Sequence, residues 1–230
     1  MKVVILAGGQ GTRLSEVTNS IPKPMVKIGP NPILVHLLKI YVYHGYKEFY
    51  IATGYKSDII RKYFQSKANA YKRINKNHFF AECNFIKRIK VNLINTGLNT
   101  LTGGRILKLK KYLKDENFLL TYGDGLANID LNKLVKFHLK KNKIATLTAV
   151  RPPARFGELQ LNNSIVSKFN EKPQVQHGWI NGGFFVLNKK IFKYISNSQK
   201  VFEKKPLETL SKKNQLIAYN KISRKKHRSQ

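Results

Sequence analysis

The sequence predicts an α/β fold, a mixed but mostly parallel sheet flanked by helices, with a small antiparallel lobe late in the chain. Three observations carry this. Short apolar runs alternate with stretches of helical period up to about residue 150. The first apolar run ends on Gly8-Gly9. After Pro152-Pro153 the pattern changes to short alternating pieces.

Each element has its own reason. Val3, Val4, Ile5 and Leu6 form a continuous apolar run closed by a glycine pair, as a strand buried on both faces should. Pro32 opens a stretch in which Ile33, Leu34, Leu37, Leu38 and Val42 recur at helical spacing, and Gly45 stops it. A second unit follows, with a strand over 49–53 and a helix over 58–64. The segment 65–90 is polar and weakly patterned and reads as an insertion or a loop with uncertain strands. Strands over 91–94, 118–121 and 144–150 then alternate with helices over 106–113 and 131–139. The pieces 158–161, 165–169 and 179–187 read as the antiparallel lobe. Alternation of this kind favours parallel βαβ units, a Rossmann-like sheet covered on both faces, with ligands outside the carboxyl ends of the strands. The glycine-rich segment after the first strand and Tyr122-Gly123-Asp124-Gly125 after a later one then share one edge. One domain is expected over 1–220. The last ten residues, 221–230, hold five Lys or Arg and read as a disordered basic tail.

Composition narrows the classes. A chain of 230 residues hides roughly 70% of the surface it exposes when unfolded, enough for a core without staples. The single Cys83 can form neither an internal disulfide nor a multi-thiolate zinc site, and it points to a reducing compartment. The apolar run at the N-terminus is too short for a signal peptide or a membrane span of about 20 residues. The protein is expected to be soluble and cytoplasmic, with no membrane partner. The surplus of 43 Lys+Arg over 12 Asp+Glu, a net +31, suits nucleic acid, an anionic surface or phosphorylated ligands, and equally a compositional drift towards lysine. The cations are scattered along the whole chain instead of forming one stripe, which argues against nucleic acid. No histidine shows metal-ligand spacing, and Phe79-Phe80 reads as packing before base stacking.

The chemistry sits in Leu6-Ala7-Gly8-Gly9-Gln10-Gly11-Thr12-Arg13-Leu14 and Pro22-Lys23-Pro24-Met25. Glycines directly after a buried strand let backbone N–H groups approach an anion. Arg13 can grip a phosphate in bidentate fashion, and Lys23 adds a point-like charge. The spacing is neither a Walker A loop nor a dinucleotide turn. A lone Asp between glycines is usually a turn former, but Asp124 lies on the inferred ligand edge, which favours a metal role.

These motifs, with Thr100-Leu101-Thr102-Gly103-Gly104-Arg105, Glu171-Lys172-Pro173 and Trp179-Ile180-Asn181-Gly182-Gly183, resemble the sugar-1-phosphate nucleotidylyltransferases, in particular the branch that makes CDP-glucose. The resemblance implies attack by the phosphate of α-D-glucose 1-phosphate on the α-phosphorus of CTP, with release of pyrophosphate and with Mg²⁺ as cofactor. It assigns Leu6, Ala7, Gly8, Gly9, Gln10, Gly11, Thr12 and Arg13 to the triphosphate and base, and Lys23 to the phosphates, with Arg13 and Lys23 catalytic. It places Thr100 and Arg105 at the nucleotide and Gly123 beside the metal ligand Asp124. The antiparallel lobe becomes the sugar side, where Lys172 meets the sugar phosphate and Glu171 and Asn181 hold hydroxyls. A homo-oligomer and a role in surface-polysaccharide synthesis are implied too.

The chain departs from the family in places. It has no Phe-Trp-x-Pro-Met-Asp-Thr turn, whose aspartate is the second metal carboxylate in the family, and so reads as truncated at the C-terminus relative to it. Asn95, Ala154, Gln160 and Lys205 replace family residues, and three of the four remove a negative charge. Two other readings stay open, an impaired member that binds nucleotide or sugar phosphate and a basic nucleic-acid binder.

Overall fold

The computed structural model describes residues 1–10, 20–152, 158–162, 164–170 and 178–220. All five residues of β1 (Val3–Ala7) are buried, because the strand lies inside a nine-stranded sheet. A short ribbon follows, β2 (Lys27–Ile28) and β3 (Asn31–Pro32). Helix α1 (Ile33–Tyr43) starts where Pro32 sits in extended conformation, and the chain leaves it at Gly45, whose φ of 91° lies outside the helical region. β4 (Glu48–Thr53) and α2 (Ser57–Lys67) repeat the unit, and Ile60 and Phe64, one turn apart, give α2 its buried face.

The segment read as an insertion or a loop with uncertain strands holds a well-defined hairpin, β5 (Ala68–Asn75) and β6 (His78–Cys83). No residue of β5 is fully buried, so the strand is held by backbone pairing and leaves no apolar alternation to read. β7 (Ile89–Asn95) follows. Helix α3 (Thr102–Lys108) starts at Thr102, earlier than the helix read over 106–113, since it contains Gly103 and Gly104; a 3-10 turn over Lys110–Tyr112 completes that stretch. β8 (Asn117–Tyr122) comes next. Then α4 (Leu131–Lys141) starts at Asp130, whose Oδ1 accepts from the Lys133 backbone N–H at 2.9 Å. β9 (Ala145–Val150), β10 (Glu158–Asn162), β11 (Ile165–Asn170), β12 (Ile180–Asn188), α5 (Lys205–Lys212) and β13 (Leu216–Tyr219) finish the described chain. The tail at 221–230 lies outside the described residues.

The sheet order is β13-β9-β12-β8-β1-β4-β7-β6-β5. β8, β1, β4 and β7 run parallel, while β12 inserts antiparallel between β8 and β9. That corrects the reading of 179–187 as part of the lobe, which consists of the β10-β11 pair alone. The reason is burial, since Phe184, Phe185, Val186 and Leu187 are all buried and such a strand needs neighbours on both edges and cover on both faces. Alternation along β1 feeds two cores. Val3 and Ile5 pack with α1, α2 and α4, and Val4 and Leu6 pack with α3 and α5. Among the described residues, no helix is long and apolar enough to cross a membrane.

Candidate active site

At the carboxyl ends of β1 and β8 lies a cavity of ≈ 250 Å³ whose walls include Gly8, Gly9, Lys23, Thr100, Arg105 and Asp124. Residues from four separate parts of the sequence thus meet where the topology predicts a ligand. Gly123 makes the approach possible. Its N–H donates to the Leu6 carbonyl at 2.9 Å, and a Cβ there would sit 2.9 Å from the Pro24 ring. Asp124 follows directly, and its Oδ2 accepts from Lys23 Nζ at 2.6 Å. Lys23 is set by a 3-10 turn over Lys23–Met25, in which the Met25 N–H donates to the Pro22 carbonyl at 2.7 Å. Both side chains of the pair are about a third exposed, so the pair contributes about 1 kcal/mol or less to stability. Its partners can be exchanged cheaply for those of a ligand.

Arg105 behaves differently. It is 4% exposed, and its guanidinium is taken up by the chain itself. Nη2 donates to the Gly8 carbonyl at 2.8 Å, and Nη1 donates to Thr96 Oγ1 at 2.6 Å and to the carbonyls of Gly97 at 2.9 Å and Thr53 at 3.1 Å. No carboxylate pairs with it among the described residues, and burial lowers its pKa. Arg105 therefore reaches the cavity from behind the glycine turn and fixes that turn's position. A Cβ on Gly8 would collide with the guanidinium. Thr100 is similarly engaged. Its hydroxyl donates to the Thr96 carbonyl at 2.5 Å and accepts from Lys108 Nζ at 3.1 Å.

Sequence reasoning missed a carboxylate that braces the cavity. Glu203 accepts from the Tyr122 hydroxyl at 2.5 Å and from Thr102 Oγ1 at 2.6 Å, and both donors line the cavity. Burial and the Glu203 charge raise the Tyr122 pKa, which keeps the hydroxyl a donor. No local signal could have found this, because the contact joins positions 101 residues apart. Asn181 also neighbours Tyr122, and its Oδ1 accepts from the Gly183 N–H at 2.8 Å, within a bulge of β12.

The structure thus gathers Leu6, Ala7, Gly8, Gly9, Lys23, Thr100, Arg105 and Asp124 around one cavity, with Gly123 against its wall. Gln10 is exposed. Gly11, Thr12, Arg13, Glu171 and Lys172 lie outside the described residues. Among the described residues no group of three or more His, Cys, Asp or Glu could hold a metal. Asp124 alone offers a cavity-facing carboxylate, and its Oδ1 has no hydrogen-bond partner among them. A carboxylate at the cavity wall fits a hard divalent cation that takes its other ligands from water and phosphate.

The family model described as "Nucleotidyl transferase" matches residues 2–224. The glucose-1-phosphate cytidylyltransferase of Salmonella typhimurium is 45% identical over 227 residues, which cover 95% of this chain and 87% of that one. A D-glycero-alpha-D-manno-heptose 1-phosphate guanylyltransferase of Campylobacter jejuni is 33% identical over 194 residues, 84% of this chain and 78% of that one. The crystal structure of HddC from Yersinia pseudotuberculosis superposes with a TM-score of 0.69 at 28% identity, covering 95% of this chain and 89% of that chain. Enzymes of this family generally use a divalent metal. Taken with the glycine turn, the Lys23–Asp124 pair and their place at the strand ends, these matches show that the chain belongs to the nucleotidyl transferase family, in the branch of the glucose-1-phosphate cytidylyltransferases.

Proposed function

We propose that the protein transfers a cytidylyl group from CTP to α-D-glucose 1-phosphate, giving CDP-glucose and pyrophosphate. The observation that carries this reading is the convergence of the Gly8-Gly9 turn, Lys23 and Asp124 on one cavity at the ends of β1 and β8. The sugar phosphate needs no general base, because a phosphate monoester loses its second proton at about pH 6. The work is alignment of two polyanions and stabilisation of charge on the bridging and leaving oxygens.

The chain's own groups divide that work. The backbone N–H groups of the glycine turn face the triphosphate, and Arg105 holds the turn still from behind through the Gly8 carbonyl. Lys23 keeps two N–H donors for phosphate oxygens beside the one it gives to Asp124. Arg13 supplies the bidentate grip, and Thr100 with its turn borders the nucleotide. Asp124 would hold Mg²⁺, which when bound supplies charge neutralisation across the phosphates. Lys172 receives the phosphate of the sugar, while Glu171 and Asn181 hold its hydroxyls. The product would serve as an activated sugar for surface-polysaccharide synthesis in the cytoplasm, made by a homo-oligomer. The Salmonella typhimurium relative supports the choice of cytosine and glucose.

The test is a pyrophosphate-release assay across the four ribonucleoside triphosphates and dTTP with glucose 1-phosphate. CTP should give the fastest release, and Lys23→Ala should slow it about 100-fold, since it removes a cation aimed at the leaving phosphates. Binding of CTP without pyrophosphate release at saturating Mg²⁺ would instead identify a member that binds and does not turn over.

A further inference from the structure

We propose that the groove between α2 and the β5-β6 hairpin is a second anion site, which binds a small oligophosphate such as pyrophosphate. It lies on the α2 side of the sheet, whereas Arg105 enters from α3 on the other. Its volume is ≈ 390 Å³, and Arg61, Arg73 and Lys76 converge on it from α2, from β5 and from the turn after β5. Asp58 is the one acid at its rim.

Convergence sets this groove apart from the rest of the surface. With 43 Lys+Arg against 12 Asp+Glu most cations have no acid to meet, and the ion pairs among the described residues include Lys23 with Asp124, Arg88 with Glu82, Lys133 with Asp130 and Lys189 with Glu116. Here none of the three cations has an ion-pair partner among the described residues. The side chain of Arg73 makes a hydrogen bond of 3.4 Å to the Asn75 carbonyl, and its other four N–H donors have no hydrogen-bond partner among the described residues. Phe79 explains why the cations stay together. Arg61 lies 5.1 Å and Arg73 5.8 Å from the centre of its ring, and the ring also stacks on Tyr71. An aromatic face attracts guanidinium groups and offsets part of the repulsion between them. With the ring already covered by Tyr71 and two guanidiniums, the groove is poor for stacking a base and good for forked donors to phosphate oxygens. Three cations on separate segments match a ligand with two or more anionic groups better than a single monoanion.

Hydrogen bonds to Arg105 connect the groove to the cavity at the ends of β1 and β8. Thr53 lines the groove, and the Thr53 carbonyl accepts from Arg105 Nη1. Asn95 lines it too and accepts from the N–H of Gly97, whose carbonyl holds the same Nη1. The strand ends that wall the groove are the ones that fix Arg105. The inference does not depend on the catalytic reading.

The experiment is a calorimetric titration of the full chain with inorganic pyrophosphate in EDTA, so that no turnover occurs. The wild type should bind two equivalents. Arg61→Gln/Arg73→Gln should weaken one of them at least about tenfold, as expected for the loss of charge-assisted hydrogen bonds, and leave the other unchanged. Lys23→Ala should show the reverse. Lys76→Gln, at an exposed position that folding does not need, should weaken the same site as the double variant. Pyrophosphate release with CTP should persist in the double variant, and its absence from the wild type would count against the catalytic reading alone. A wild type that binds one equivalent, abolished by Lys23→Ala, overturns the second site, as does a double or Lys76→Gln variant with both sites at wild-type affinity.

Discussion

Of the three Gly-Gly dipeptides in the chain, the one at the head of the cavity, Gly8-Gly9, and the one inside α3, Gly103-Gly104, do opposite things. At Gly9 an added Cβ would meet open space, while at Gly8 it would strike the Arg105 guanidinium. At Gly104 and Gly103 it would strike the backbone of Ser198 and Lys200. The first pair keeps backbone accessible to a ligand. The second lets the segment before α5 pack on α3, where the N–H groups of Leu101 and Gly103 donate to the carbonyls of Ser198 and Lys200. Arg105 joins the two, since it extends from the packed helix to the Gly8 carbonyl. A glycine pair in a sequence therefore marks a close approach without saying whether the visitor is a ligand or the chain itself.

The largest effect should come from cutting the link. Arg105→Ala removes the donor to four carbonyls and one hydroxyl, and it should cost about 4 kcal/mol in urea unfolding with loss of turnover. A variant within 1 kcal/mol of wild type would show that the link is dispensable. Gly104→Ala should cost about 3 kcal/mol, because the new methyl meets backbone that cannot rotate away, yet the folded fraction should turn over normally. Gly8→Ala should weigh on turnover instead, with about 2 kcal/mol lost as the guanidinium shifts and gives up part of its hydrogen bonds, and turnover down about 100-fold. Gly9→Ala is its control and should stay within about 0.5 kcal/mol of wild type.

The smallest effect is a shift along the pH axis. His138 is buried, with Nδ1 on Thr146 Oγ1 at 2.8 Å and Nε2 on Asn117 Oδ1 at 3.1 Å, and burial lowers its pKa to about 4. A histidine lowered on folding contributes stability that is present above pH 6.5 and is lost as pH falls towards 4, about 3 kcal/mol in all. Gly104→Ala starts from lower stability, so its acid-unfolding midpoint should lie up to about one pH unit above that of Gly8→Ala. Equal midpoints would remove the distinction between the two pairs.

How much of this was legible depends on whether the signal was local. β1, α1, β4, β8 and α4 announce themselves through buried side chains at the right period and through Pro32 and Gly45. β5 could not be read, because an edge strand with exposed side chains is held by backbone pairing. β12 was legible as a strand but not in its place, since Phe184 to Leu187 carry no label saying which two strands they will separate. At the site, motif and sheet edge were enough to expect Lys23 and Asp124 near each other, and both line one cavity. The role of Arg105 behind the turn and the brace from Glu203 arise from contacts between residues 97 and 101 positions apart, which no window along the sequence contains.

β1 occupies the middle of the sheet although it is made first. Its neighbours are β4 and, on the other side, β8, which is itself completed by β12. As the chain leaves the ribosome, the half from β4 to β5 can pair early, because residues 48–95 contain all of it. β1 stays open along one edge until residue 122 has emerged, and β8 in turn until residue 188. The Gly8 turn waits longest, for it is locked only after Arg105 is delivered by a helix that itself packs on the segment near residue 200. The stretch from residue 7 to residue 122, in which an apolar strand keeps one edge unpaired, is when this molecule is most open to wrong pairing.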